Sequence, residues 1–214
     1  MYLREATLVN LPRLTKLYTI SLTNDLFFKY KPPYRRQNSA DVQYFSKLML
    51  KRHSYDKKTT TMVTRMEKRD IAISRRGITY AGNVVGYAIW ERMGRVEAKK
   101  RTLRGSVSRI LAKLETRSIS RQLKRHDIDF VRLAALEASL KVDQVQCCDI
   151  LDWWYLSRLV VDSQFKDRGA KPLLVQWGTL KAGAESLWCG VEVCGLEGRL
   201  YKEYGFEGIK VNFV

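Results

Sequence analysis

The residues best suited to chemistry lie in one continuous run, Val160-Val161-Asp162-Ser163-Gln164-Phe165-Lys166-Asp167-Arg168-Gly169-Ala170-Lys171-Pro172-Leu173-Leu174. An apolar strand pattern ends there in a basic, glycine-bearing turn, and a helical pattern starts with Pro172 in its first turn. Such a turn gathers backbone N–H groups at a helix N-terminus, where the helix dipole adds positive potential. Lys166, Arg168 and Lys171 add charge, so the chemistry on offer is the holding of a phosphate. The turn lacks the Gly-Lys-Ser/Thr of a P-loop and the G-x-G-x-x-G of a dinucleotide turn, which argues against nucleotide hydrolysis and Rossmann-type binding. A plain strand-to-helix connection is the alternative reading of the turn taken alone.

Several elements must position that turn. Tyr2 to Leu8 alternates as a strand, and Asn10 looks like the N-cap of an amphipathic helix from Leu11 to about Thr23, with Pro12 in its first turn. Asn24 to Arg36 is a loop rich in aromatics. A second helix runs from Asp41 to about His53, with Val42, Phe45, Leu48 and Met49 on one face. Asp70–Ser74 reads as a strand, then a turn near Gly82-Asn83 leads into an internal strand from Val84 to Arg92. Phe130 to about Val142 is helical, and Trp153 to Val161 is a second central strand. After the basic turn come a helix from Pro172, a strand over Leu187–Val193, a short helix Leu196–Tyr204 closed by Gly205, and a last strand over Phe206–Phe213. Strands alternating with helices give a mixed α/β (α+β) fold with one central sheet.

The chain has 214 residues, of which 45% are hydrophobic, enough for the core of a single domain over residues 1–214. Its 13 Gly and 4 Pro exclude collagen-like and low-complexity chains. No apolar run approaches the roughly 20 residues of a membrane span, and Met1-Tyr2-Leu3-Arg4-Glu5 lacks the apolar stretch of a secretory signal. A cytoplasmic protein without membrane contact is the expectation. The net charge is +17, from 39 Lys and Arg against 22 Asp and Glu, and a net +10 of it lies between Arg92 and His126. That stretch reads as a basic helical insertion at about 92–126. It lacks interleaved aromatics and any base-reading motif, so no specific nucleic-acid partner is expected. Cys147, Cys148, Cys189 and Cys194 read as reduced core thiols. His53 and His126 have no metal-ligand spacing, so no metal site is expected.

The basic turn and its flanks resemble the acetyl-CoA-binding motif of the GNAT N-acetyltransferase superfamily: a hydrophobic strand, Gln/Arg-x-x-Gly-x-Gly/Ala, then a helix. Downstream, Gly198-Arg199-Leu200-Tyr201-Lys202-Glu203-Tyr204-Gly205-Phe206 resembles the family's Leu-Tyr-x-x-x-Gly-Phe motif. Upstream, Val84-Val85-Gly86-Tyr87-Ala88-Ile89-Trp90 is similar to its third strand and Tyr2-Leu3-Arg4-Glu5-Ala6-Thr7 to its first. Trp154-Tyr155-Leu156 and Gln176-Trp177-Gly178 resemble the small-molecule members common in filamentous fungi. Each motif is degenerate, but the ordered set covers nearly the whole chain.

The resemblance implies a GNAT fold, a sheet splayed between its fourth and fifth strands and flanked by helices. It implies acetyl-CoA as cofactor and transfer of an acetyl group to the amine or hydroxyl of a small-molecule acceptor. Leu159, Val160 and Val161 would bond the pantetheine arm like an added strand. Lys166, Asp167, Arg168, Gly169, Ala170 and Lys171 would cradle the pyrophosphate. Tyr201 matches the tyrosine that acts as general acid toward the leaving thiolate. The acceptor would meet Asn24, Asp25, Phe27, Phe28 and Tyr30 after the first helix, with Trp90, Tyr155 and Ser157 near the splay. The aromatic lining favours a fairly apolar small molecule, handled by a monomer or homodimer.

The chain departs from the family pattern in three places. Lys171 stands at the third motif position, usually Gly or Ala, and Pro172 follows it. Ser157 stands where the fungal relatives often have Asp, and Tyr155 stands nearer the family's usual glutamate. Val193-Cys194-Gly195 replaces Glu-Ala-Ser. Glu91 and Asp152 remain as candidate bases. The alternative is a degenerate GNAT fold that binds a ligand, or runs non-acetyl chemistry, without coenzyme A turnover.

Overall fold

The computed structural model describes residues 1–21, 39–67, 84–94, 131, 134, 152–166, 168–193 and 201–208. Five strands lie side by side in chain order: β1 (Tyr2–Glu5), β2 (Thr59–Arg65), β3 (Val84–Gly94), β4 (Asp152–Val161) and β5 (Trp188–Val191). The first four are antiparallel neighbours, and β5 joins β4 in parallel. This is the mixed α+β sheet that the alternating patterns require.

β2 is the strand that alternation does not reveal. The expected Asp70–Ser74 strand and the Gly82-Asn83 turn lie outside the described residues. Thr59–Arg65 instead fills the place between β1 and β3. Its residues are mostly β-branched, as a strand favours, but Thr61, Met62, Val63 and Thr64 are all buried, so no polar-apolar rhythm survives. Thr64 satisfies its hydroxyl inside the sheet by donating to the Gly86 carbonyl at 3.3 Å.

β1 is also shorter than Tyr2–Leu8. Its pairing fades after the Ala6 N–H donates to the Thr61 carbonyl at 2.7 Å. Leu8–Asn10 then forms a 3-10 turn that runs directly into α1 (Leu11–Ser21). Asn10 does not cap α1. Its Oδ1 folds back to accept from the Thr7 N–H at 3.0 Å and from Arg4 Nη2 at 2.9 Å.

Helices cover both faces. On one, Leu14, Leu17 and Tyr18 of α1 and Val42 and Leu50 of α2 (Ser39–Tyr55) pack on Val63, Tyr87, Ile89 and Val160. On the other, Leu174, Val175 and Ala182 of α3 (Ala170–Ala184) pack on Met62, Ala88, Trp90, Trp154 and Leu156. Trp90 is fully buried, and its Nε1 donates to the Leu174 carbonyl at 3.3 Å. Gly178 admits the indole: a Cβ there would lie 2.1 Å from Trp90 Cζ2. Gly178 is therefore a packing requirement of the α3–sheet contact.

Tyr201 and Lys202 are helical. Gly205, at φ +80°, closes that helix: its N–H bonds to the Lys202 carbonyl at 3.1 Å, and the Phe206 N–H to the Tyr201 carbonyl at 3.1 Å. This is the glycine C′ position of a Schellman motif. Phe206–Gly208 is not strand, and the rest of the expected final strand lies outside the described residues. So does the basic insertion beyond Gly94. Of the expected helix Phe130–Val142, Val131 and Ala134 are described, and both are helical.

Candidate active site

β4 changes partners halfway along. Trp153, Trp154, Tyr155 and Leu156 pair with Trp188, Cys189, Gly190 and Val191 of β5. Past Leu156, no strand among the described residues pairs with β4 on that side. Among the described residues, the edge from Ser157 to Val161 is thus released while the other edge of β4 stays on β3. A bulge marks the point of release. Ile89 pairs with Arg158 and Trp90 with Leu156, which leaves Ser157 without a partner residue on β3. The Ser157 hydroxyl donates to the Ile89 carbonyl at 3.2 Å, repairing the ladder.

The released edge leads into the basic turn, whose start is anchored. The Asp162 N–H bonds to the Val85 carbonyl at 2.8 Å. Arg13 of α1 bridges the same place, with Nη2 2.9 Å from Asp162 Oδ2 and Nε 2.9 Å from the Val84 carbonyl. Ser163–Phe165 is a short 3-10 turn, with Phe165 buried and the Arg168 guanidinium 5.4 Å from its ring centre. Gly169 is left-handed, at φ +80° and ψ 5°, and serves as N-cap of α3 without any side-chain cap. A Cβ on Gly169 would meet nothing within 4 Å, so the helix N-terminus opens onto free space. Lys166 and Arg168 are exposed beside it. Pro172, the third residue of α3, removes one N–H from this end. An uncapped helix start, a glycine cradle and basic side chains fit a pyrophosphate.

The bulge also decides which side chains share a face. Tyr155 and Arg158, on either side of Ser157, both lie on the α1/α2 face with Tyr87 and Glu91 of β3. Glu91 is the register partner of Tyr155. The Arg158 guanidinium lies 4.4 Å from the ring centre of Tyr18 on α1. His53 comes in from α2. Burial lowers its pKa from 6.5, the Glu91 carboxylate opposes that, and Arg158 supports it. The Tyr155 pKa is raised well above 10.0, first by burial and then by the charge of Glu192 and a hydrogen bond to that carboxylate just past β5. His53, Arg158, Tyr18 and Tyr87 are absent from the sequence-derived set, because the one-residue slip at Ser157 is not written in the alternation of β4.

The remaining expected residues fall in different places. Tyr201 is buried on the α3 side, in the apolar cluster that also holds Leu159 and Val161, with its ring edge-on to Phe206 at 5.7 Å. Trp90, expected at the acceptor, is instead enclosed in the core under α3. Asp152, at the far end of β4, pairs with Arg92 Nη2 at 3.4 Å. Arg92 also bonds Glu185, which accepts from Trp154 Nε1 at 3.0 Å. That network sits five residues before the bulge and has a structural use, away from the released edge. Asn24, Asp25, Phe27, Phe28, Tyr30 and Asp167 lie outside the described residues. Cys189 is a free thiol whose pKa burial pushes up to about 12; Cys147, Cys148 and Cys194 lie outside. Among the described residues, no helix is long and apolar enough to cross a membrane.

No protein-family model matches the chain, and no curated protein matches it in sequence. Solved structures do match. One, from Corynebacterium glutamicum, bears the name histone acetyltransferase HPA2 and related acetyltransferase; it is 16% identical, with a TM-score of 0.54 over 95% of this chain and 82% of that one. A probable acetyltransferase is 12% identical, with a TM-score of 0.53 over 100% of this chain and 96% of that one. A tetramutant of the BH1408 protein from Bacillus halodurans is 12% identical, with a TM-score of 0.51 over 100% of this chain and 98% of that one. These likenesses show the fold, and it is that of the GNAT-type acetyltransferases.

Proposed function

We propose that the chain is an acetyl-CoA-dependent acyltransferase acting on the amine or hydroxyl of a small metabolite. The observation that carries this is the released edge of β4 running, through an anchored turn, into the open N-terminus of α3. When bound, acetyl-CoA supplies an acyl carbon whose C–S bond breaks as the acceptor nitrogen or oxygen bonds to it, leaving amide or ester and free thiol. Leu159, Val160 and Val161 offer backbone donors and acceptors to the pantetheine arm. The residues from Lys166 to Lys171 hold the pyrophosphate by backbone N–H groups and positive charge. Glu91, on the opposite face at the bulge, accepts the proton that the acceptor gives up. Tyr201 keeps a hydroxyl on the α3 side of the same edge, where negative charge develops on the leaving sulfur. The protein's contribution is then mostly positioning and polarisation.

Calorimetry with acetyl-CoA and with free coenzyme A, paired with a thiol-release assay, tests this. Binding of both, with acceptor-dependent thiol release, is the expected outcome; no binding of either sinks the proposal. The second reading, a ligand-binding fold without turnover, draws on Pro172, which removes a phosphate-facing N–H, and on Ser157, whose hydroxyl is committed to Ile89. Binding of acetyl-CoA with no thiol release from any acceptor selects it.

A further inference from the structure

Among the described residues, the basic turn leaves a sheet that supports it on one side only. The Asp162 N–H, one residue past β4, bonds to the Val85 carbonyl of β3 at 2.8 Å. Beyond it the backbone enters the three-residue 3-10 turn Ser163–Phe165. Such turns have poorer hydrogen-bond geometry than an α-helix. Backbone N–H groups that must meet a phosphate at fixed places therefore gain from a hold outside the turn.

Asp162 and Arg13 form that hold. The Asp162 carbonyl accepts from the Phe165 N–H at 2.8 Å, and its Oδ1 from the Gln164 N–H at 3.2 Å, so the residue caps the turn. The other carboxylate oxygen, Oδ2, accepts from Nη2 of Arg13, 149 positions away in sequence, at 2.9 Å. Arg13 lies in the first turn of α1 and also gives Nε to the Val84 carbonyl, at the start of β3, at 2.9 Å. One guanidinium thus ties α1, the beginning of β3 and the residue where the turn leaves the sheet. The two side chains are 26% and 14% exposed. Exposed pairs contribute little, whereas a shielded, two-pronged arginine contact fixes geometry. The pair also cancels a carboxylate at the start of the turn, and the exposed Lys166 and Arg168 then set its sign.

Resting on the acetyl-CoA reading, we propose that Arg13 is a positioning residue for the cofactor. It acts through Asp162 and not on the cofactor itself: it fixes where the turn that takes the pyrophosphate leaves the sheet. Helix α1 therefore serves the cofactor end of the site as well as the core.

Calorimetry of the full chain with acetyl-CoA, and amide hydrogen exchange without ligand, test this on Arg13→Gln, Arg13→Lys and Asp162→Asn. Arg13→Gln should weaken acetyl-CoA about tenfold, as small misplacements of binding groups do. Arg13→Lys keeps a cation within reach of Asp162 and should stay within about threefold of the parent. Asp162→Asn tests the same bond from its other side, should Arg13→Gln fold poorly. It keeps a capping oxygen, breaks the ion pair and makes the turn more positive. A purely electrostatic role for the pair predicts tighter binding in Asp162→Asn; positioning predicts binding weaker by about threefold or more. In Arg13→Gln and Asp162→Asn, exchange should rise over residues 162–166 and stay unchanged in β2 and β3. The inference is overturned by full affinity in both of these variants, by tighter binding in Asp162→Asn, by Arg13→Lys as weak as Arg13→Gln, or by exchange that rises throughout the sheet. A parent chain that does not bind acetyl-CoA refutes the cofactor reading and this inference with it. A parent that binds, with variants that bind alike, refutes this inference alone.

Discussion

Ser157 lies outside the β3–β4 ladder, yet its hydroxyl donates to Ile89, a residue of that ladder, at 3.2 Å. The bond stabilises an extra residue in β4 exactly where β5 stops pairing, and it turns Arg158 onto the face of Tyr155 and Glu91. Serine at this position thus has a structural use and, among the described residues, no base partner.

Ser157→Ala should therefore cost stability more than chemistry. Loss of one half-buried hydrogen bond is worth about 1 kcal/mol. A urea titration should show that loss, while kcat for acyl transfer falls less than about threefold, far short of the 10²-fold typical of a lost general acid or base. A kcat loss of that larger size would make Ser157 a participant.

Gly169→Asp separates charge from folding. The site is left-handed but open, with nothing within 4 Å of a Cβ, and Asp tolerates that conformation better than most residues. The fold should survive with a small stability loss. A carboxylate beside the phosphates should weaken acetyl-CoA binding more than tenfold, or over about 1.4 kcal/mol. Unchanged affinity in the folded variant would remove the turn from the binding site.

Gly178→Ala tests the α3–sheet contact. The added Cβ would sit 2.1 Å from the Trp90 ring, which is enclosed on all sides and cannot swing away. Overpacking of this kind typically costs about 1–3 kcal/mol. Chemical denaturation should report it, and a variant as stable as the parent would mean that Trp90 has room that the packing does not show.

The legible parts of the fold are those with one buried face or a conformational signature. Val84–Arg92 and Trp153–Val161 stand out because long β-branched and aromatic runs have few other uses. Gly205 and Pro172 stand out because their backbones suit single positions at helix ends. Thr59–Arg65 does not, because its buried threonines carry hydroxyls that mimic a polar surface. The basic turn is legible because its glycine, bases and helix start are contiguous. The cluster of His53, Glu91, Tyr155 and Arg158 is assembled from three elements, and the slip that aligns it is a bulge that no local pattern encodes. The resemblance puts Trp90 near the splay as an acceptor residue, but the alternation of β3 turns it to the α3 face, where Gly178, 88 positions away, makes room for its ring.

Acid should expose the cost of burying His53. Its pKa in the fold lies below 6.5, mainly through burial, so the folded chain resists a proton that the unfolded chain accepts. Stability from this group is complete above about pH 6.5 and is lost as pH falls from there through the lowered folded value. Glu185 has the same sign in a lower window. Burial alone would raise its pKa, but bonds from Lys181 and Trp154, with the charges of Lys181 and Arg92, hold it below 4.5. Denaturation midpoints of the parent and of His53→Gln should diverge less at pH 5 than at pH 7 if the variant's own packing loss is constant. Parallel curves through that range would mean that His53 titrates alike in both states.

Tyr201 carries the sharpest test of the chemistry. Its ring is buried at 6% exposure, edge-on to Phe206, and Gly205 locks the helix end that presents it. Tyr201→Phe keeps the ring and therefore the packing, so stability and coenzyme A affinity should stay nearly intact. A hydroxyl that serves the leaving sulfur acts as charge builds there, so its loss should appear in kcat and in kcat/KM equally. A general acid is typically worth about 10²- to 10⁴-fold. Because the ring shares a cluster with Leu159 and Val161, a defect in seating the cofactor would instead raise the acetyl-CoA dissociation constant with kcat retained. Full kcat in Tyr201→Phe, with thiol release undiminished, would show that the proton comes from elsewhere and leave Tyr201 a packing residue.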